Sequence, residues 1–180
     1  MKKITLLGDS IRLGYGAKVP ALLGDHYEVF QPEDNCRFAK YTLRMLFDYK
    51  DQISGSDVIH WNNGLWDCTE LFGDWTFTPV EEYVATMLRI ARLLKEVTPN
   101  VIFATTTPTH PEYPTTHNDK IDAFNAALVP KLAEMGIIIN DLHAIVAAHP
   151  EYICEDQIHL TDEGFEACAK QVVACIKQFD

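Results

Sequence analysis

The sequence predicts an α/β fold in which a parallel sheet is covered by helices on both faces. Three observations carry that expectation. Short β-rich runs alternate with longer amphipathic ones, and each short run is apolar throughout, as strands buried on both faces must be. The 180 residues, 47% of them hydrophobic, suffice for one core without a disulfide or metal staple. No internal repeat, low-complexity tract or linker interrupts the chain, so residues 1–180 are expected to form one domain.

Five strands can be placed: Lys3 to Leu7, Tyr27 to Gln31, Val58 to Asn62, Val101 to Thr105 and Ile137 to Leu142. Thr78-Pro79-Val80-Glu81 offers an N-cap, a proline at the first helical position and a capping-box glutamate, which opens a helix running to about Val97. Asn118 to Glu134 reads as a second long helix stopped by Gly136, with Pro130 predicting a kink or an early end. A last helix from Thr161 to about Phe179 carries Phe165, Cys168, Ala169, Val172, Val173 and Ile176 on one apolar stripe, which is core.

Charge and cysteine content narrow the partners. Acidic residues outnumber basic ones by 26 to 15, a formal charge of −11, which argues against nucleic acid or an anionic membrane surface. Five cysteines without paired metal spacing read as reduced, mostly buried side chains with one exposed thiol. The apolar run after Met1-Lys2-Lys3 ends at Leu7, short of a secretory core, so the chain reads as cytoplasmic. No stretch approaches the roughly 20 apolar residues of a membrane span.

In open parallel sheets, ligands sit beyond the carboxyl ends of the strands, and the chemistry is sought there. Ser10 follows the first strand at once in Gly8-Asp9-Ser10, where the glycine permits a tight turn and the serine can open a helix. Alone, such a serine is as well explained as an N-cap. Asp156 and His159, three residues apart before the last helix, change that reading. A carboxylate on one ring nitrogen fixes the histidine's tautomer and leaves the other nitrogen free to take a serine proton.

Gly8-Asp9-Ser10 near one end and Asp156-x-x-His159 near the other resemble the first and last blocks of the GDSL/SGNH hydrolase family, so the resemblance spans nearly the whole chain. It implies a three-layer flavodoxin-like fold with strand order 2-1-3-4-5. It further implies Ser10 as nucleophile, His159 as base and then acid, Asp156 as its orienting acid, and a supporting hydrogen-bonding role for Asp9. The family draws oxyanion donors from the serine N–H, a glycine N–H after the second strand and an asparagine side chain after the third. Here Cys36 stands nearest the glycine's place and Trp66 stands in the asparagine's, so Asn62 or Asn63 is expected to supply the side-chain donor beside the N–H groups of Ser10 and Cys36.

Asn62-Asn63-Gly64-Leu65-Trp66 also resembles the Asn-x-Gly-x-Trp segment of polysaccharide and sialate O-acetyl relatives, which points to acetyl chemistry on sugars. Trp61 and Trp66 after the third strand and His110 in the polar loop after the fourth are the expected substrate-binding residues, the aromatics stacking on a sugar ring or holding an acyl chain. The expected function is therefore a serine esterase acting on acetyl esters of small molecules or oligosaccharides. A short-chain lipase or lysophospholipase, or a silent carbohydrate-binding relative, is the alternative. His143 and His149 lack a third ligand, and no dinucleotide or phosphate-loop fingerprint follows the first strand, so neither a metal nor another cofactor is expected.

Overall fold

A computed structural model describes residues 1–180. Strands β1 (Lys2–Leu7), β2 (Tyr27–Phe30), β3 (Val58–Trp61), β4 (Val101–Ala104) and β5 (Ile138–Asn140) form one parallel sheet in the order β2-β1-β3-β4-β5. Each lies within two residues of its expected bounds, the scatter usual at strand ends. Every residue of β3 and β4 is buried, as apolar strands between two helical layers require.

The helices are α1 (Ser10–Gly16), α2 (Val19–Leu23), α3 (Ala39–Asp48), α4 (Lys50–Ile53), α5 (Val80–Val97), α6 (Asn118–Glu134), α7 (Leu142–Ala148) and α8 (Asp162–Ile176). α1, α2 and α7 pack on α8, while α5 packs on α3 and α6, which gives two helical groups flanking the sheet. Cys168, Ala169, Val172, Val173 and Ile176 of the α8 stripe are buried, and the Thr161 hydroxyl caps the helix by accepting the Gly164 N–H at 3.2 Å. α6 runs unbroken through Pro130 to Glu134, without the early end its proline suggested.

The start of α5 corrects another expectation. Pro79 is the N-cap and no side chain caps the helix, because the Thr78 hydroxyl donates to Asp67 Oδ1 at 2.7 Å instead. A buried carboxylate is the stronger acceptor and wins the hydroxyl. All five cysteines are free, four of them buried and Cys154 half-buried. No helix is long and apolar enough to cross a membrane.

The register aligns the carboxyl ends. Leu7 lies beside Trp61, Trp61 beside Phe103, and Ala104 beside Asn140. Gly8, Asn62, Thr105 and Asp141 therefore leave the sheet along one edge, and the loops that follow them meet there.

Candidate active site

The turn carrying Ser10 is held from several sides. Asp9 caps α1 by accepting the Ile11 N–H at 3.0 Å, and the same oxygen accepts the Asn62 amide at 2.8 Å. Gly8 has φ +154°, and a Cβ there would lie 2.1 Å from Asn62 Oδ1, so only glycine lets the asparagine close over the turn. Burial pushes the Asp9 carboxyl up from its ordinary value, and the bonds from Asn62 and Ile11 oppose that rise. Ser10 is the first residue of α1, so its N–H has no intrahelical acceptor.

Asn62 is in turn one link of a buried chain. The Tyr15 hydroxyl donates to Asn62 Oδ1 at 3.0 Å, His60 Nδ1 lies 3.3 Å from that hydroxyl, and Asn140 Nδ2 lies 3.0 Å from His60 Nε2. With the amide donating to Nε2, the ring proton sits on Nδ1 and points at Tyr15. Burial pushes the His60 imidazole down to about 3, so it is neutral across the physiological range. The chain thus runs from β5 through β3 to the cap of the serine helix, and its members are fully or almost fully buried.

His159 Nε2 lies 2.8 Å from Ser10 Oγ, and His159 Nδ1 lies 2.6 Å from Asp156 Oδ2. The structure therefore brings together three residues separated by up to 149 positions in the chain. The loop that carries two of them is tied at its base by Thr161 N–H to Tyr152 O at 2.7 Å and by Cys154 N–H to His159 O at 2.9 Å. Asp156 Oδ1 accepts the N–H groups of Ile158 and His159 and the Cys154 thiol, at 3.0, 2.9 and 3.1 Å. Partial burial would raise the Asp156 carboxyl, but the bonds from His159, the Cys154 thiol and the two amides outweigh it and hold the group well below the ordinary carboxylate range. Gln157 adopts a left-handed φ of 70°, and its carbonyl accepts the His110 N–H at 2.9 Å. A hydroxyl facing an imidazole whose far nitrogen rests on an ionised carboxylate can lose its proton to that ring as it attacks an electrophilic carbon.

The other expected site residues divide. Trp66 is 41% exposed and lines the cleft beside Ser10. Trp61 does not line it: it is fully buried, packs edge-on against Phe103 at 4.8 Å, and bonds Asn63 Oδ1 through its indole N–H at 3.2 Å. Core packing on β3 places it out of a ligand's reach. His110 braces Gln157 through its backbone, and its ring accepts the Glu112 N–H at 3.2 Å. It is not among the residues that line the cleft, whereas Tyr113, Thr115 and Thr116 from the same loop are.

Of the expected oxyanion donors after β2 and β3, the Cys36 N–H is taken, whereas each asparagine spends one of its two amide N–H groups on a protein acceptor. Cys36 is buried and its N–H donates to Gly8 O at 3.0 Å. The Asn62 amide holds Asp9, and the Asn63 amide donates to Arg37 O at 2.9 Å. Both asparagines are buried, and neither lines the cleft. Sequence reasoning also missed Arg12. Its buried guanidinium donates to Pro32 O at 2.8 Å, Asp34 O at 2.7 Å and Gly8 O at 3.2 Å, clamping the segment after β2 onto the serine turn. An arginine one turn into a short helix gives no sequence signal for that role.

The cleft above Ser10 and His159 encloses about 430 Å³, with Phe38, Leu65, Trp66, Leu71, Phe77 and Ile158 supplying apolar wall.

No protein-family model matches the sequence, and no curated protein matches it significantly. Solved structures do. A lipase/acylhydrolase from Enterococcus faecalis superposes with a TM-score of 0.79 at 19% identity over 99% of this chain and 96% of that one. Axe2, an acetylxylan esterase from Geobacillus stearothermophilus, gives 0.77 at 16% identity over 97% and 94%. A GDSL-like lipase from Bacteroides thetaiotaomicron gives 0.75 at 19% identity over 98% and 86%. With this five-stranded parallel order and near-complete mutual coverage, the chain has the fold of the GDSL/SGNH hydrolases.

Proposed function

We propose that this protein is a carboxylic ester hydrolase that works through an acyl-enzyme on Ser10. The observation that carries the proposal is the hydrogen-bonded series from Ser10 Oγ through His159 to an ionised Asp156, at 2.8 and 2.6 Å, opening onto one cleft. As Ser10 Oγ bonds to the ester carbon, its proton passes to His159 Nε2 and the carbonyl electron pair moves onto oxygen. Collapse of the tetrahedral adduct breaks the bond to the alcohol, which leaves with the proton from His159. Water then repeats the sequence on the acyl-serine, releasing the acid and restoring Ser10. Asp156 keeps the His159 proton on Nδ1 and stabilises the imidazolium that forms.

Within that reading we take the substrate to be an acetyl ester on a carbohydrate. Trp66 and Tyr113 offer faces for a sugar ring, Thr69, Thr115 and Thr116 offer hydroxyls, and Axe2, which shares the fold, is an acetylxylan esterase. The apolar wall formed by Phe38, Leu65, Leu71, Phe77 and Ile158 favours a second reading, in which the cleft holds a longer acyl chain. Hydrolysis of p-nitrophenyl esters from C2 to C10 and of acetylated xylo-oligosaccharides by wild type and Ser10→Ala tests both. Loss of all turnover in Ser10→Ala supports the serine mechanism. A maximum at C2 with acetate released from the sugars supports the first substrate, whereas a maximum at C6 to C10 with inert sugars supports the second. Full turnover by Ser10→Ala contradicts the mechanism.

A further inference from the structure

We propose that Phe72 and Trp75, in the loop between β3 and α5, stack on the backbone of a neutral polysaccharide whose acetyl ester lies in the cleft, an inference that rests on the carbohydrate reading above. Eight large hydrophobic side chains are exposed on this protein, and five of them, Trp66, Leu71, Phe72, Trp75 and Phe77, fall within residues 66–77. Phe72 is 87% and Trp75 71% exposed. A cluster of apolar side chains left in water beside a reaction cleft marks a surface that a ligand covers. Trp66, Leu71 and Phe77 line the cleft with Ser10 and His159, whereas Phe72 and Trp75 do not. Leu71 and Phe77 flank the tip of the loop in sequence, so the apolar wall of the cleft continues through them to the two exposed rings.

Hydrogen bonds hold the loop at its base and at its tip. The Phe77 N–H donates to Thr69 O at 2.7 Å, the Glu70 N–H to Thr115 O at 2.6 Å, and the Thr69 hydroxyl to that same carbonyl at 3.0 Å. At the tip Gly73 turns the chain at φ +69°, and Asp74 Oδ1 accepts the Trp75 N–H at 2.8 Å. Phe77 gives its face to Phe38 at 5.2 Å, but Phe72 and Trp75 pack on no other ring and no cation. Nothing lies within 4 Å of the place a Gly73 side chain would take, so the turn between the two rings is open. The loop therefore presents two free aromatic faces on an anchored support. Such faces suit the C–H side of a sugar ring, which stacks without needing a charge.

Charge selects the partner. Asp74 is exposed between the two rings, and the chain carries a formal charge of −11, which repels an anionic polymer or bilayer. Insertion into a neutral membrane would strip water from the Asp74 carboxylate. A symmetric contact with a second copy would set that carboxylate against its own equivalent. The hydroxyls of a neutral polysaccharide can instead donate to it while the rings stack.

The double variant Phe72→Ala/Trp75→Ala tests the platform, because neither residue lines the cleft. The substrates are p-nitrophenyl acetate, acetylated xylobiose and acetylated xylan, with thermal unfolding alongside. The proposal expects kcat and KM on the two small substrates to stay within about twofold of wild type, at an unchanged melting temperature. On the polymer kcat/KM should fall about tenfold or more, through KM. Retardation of the wild type in gels containing deacetylated xylan should be lost in the double variant. A polymer KM that the double variant keeps overturns this inference alone, as does an equal loss on all three substrates. Wild-type binding to phosphatidylcholine vesicles that the double variant loses overturns it in favour of a lipid surface. A wild-type dimer that the double variant dissolves overturns it in favour of a second copy. Acetylated xylobiose and xylan both inert to the wild type overturn the carbohydrate reading and this inference with it.

Discussion

Replacing Asp67 by Asn is expected to stabilise the protein at neutral pH far more than at pH 4. Asp67 is fully buried, accepting the Thr78 hydroxyl at 2.7 Å and the Ala39 N–H at 2.9 Å. Burial pushes its carboxyl from 3.8 up to about 6, and those two bonds offset only part of the rise. Between the two values the folded chain holds a proton that the unfolded chain has released. The group therefore contributes stability that is complete below 3.8 and is lost as pH rises through 6. Roughly two pH units at about 1.36 kcal/mol each make that loss about 3 kcal/mol. Asparagine keeps both contacts, accepting from Ala39 and donating to the Thr78 oxygen, and it cannot ionise. Urea unfolding followed by tryptophan fluorescence should show the stability difference between D67N and wild type growing by about 2.4 kcal/mol from pH 4 to pH 7, since a little of the loss has already occurred at pH 4. A difference that is the same at both pH values would refute the reasoning. The buried carboxylate supports the cleft wall from behind: it joins the start of α3 to the segment before α5, where the rings of Phe38 and Phe77 meet 5.2 Å apart and line the wall.

His60 should oppose Asp67 in wild type. Its imidazole is depressed from 6.5 to about 3, so its contribution is complete above 6.5 and is lost as pH falls toward 3, and D67N should lose stability on acidification more steeply than wild type. Tyr15→Phe should cost about 2–4 kcal/mol, because it leaves Asn62 Oδ1 and His60 Nδ1 unpaired in the core, and it should lower kcat by loosening the cap of α1, as unfolding and ester kinetics together can show. Gly8→Ala should cost about 3 kcal/mol or more by differential scanning calorimetry, since its Cβ would meet both Asn62 and Arg12. The two tryptophans should part company: Trp61→Ala should cost about 3–5 kcal/mol as a core truncation, while Trp66→Ala should leave the melting temperature nearly unchanged and raise KM.

The strands and long helices were legible because each is a continuous apolar or amphipathic run, and their order followed from the resemblance carried by Gly8-Asp9-Ser10 and Asp156-x-x-His159. The pairing of Ser10 with His159 was legible for the same reason, since both flank helix starts at one edge of the sheet. What failed to show were directions and competitors. Trp61 ends a strand buried on both faces, where no polar alternation marks which side chain faces a ligand. Thr78 has the form of a cap, but the acceptor that takes its hydroxyl lies 11 residues away. Asn62 and Asn63 stand where a donor is needed, but which groups their amides also hold, Asp9 for one and the Arg37 carbonyl for the other, is set by distant segments. The geometry of residues 32–38 depends on a buried arginine from another helix, which no local pattern encodes.

The most direct test of the central claim is the intact mass of the protein after incubation with a fluorophosphonate, followed by peptide mapping. The account predicts one adduct per chain, placed on Ser10, absent from Ser10→Ala and formed far more slowly in His159→Ala. No adduct under conditions that label a known serine esterase, or an adduct on another residue, would contradict it.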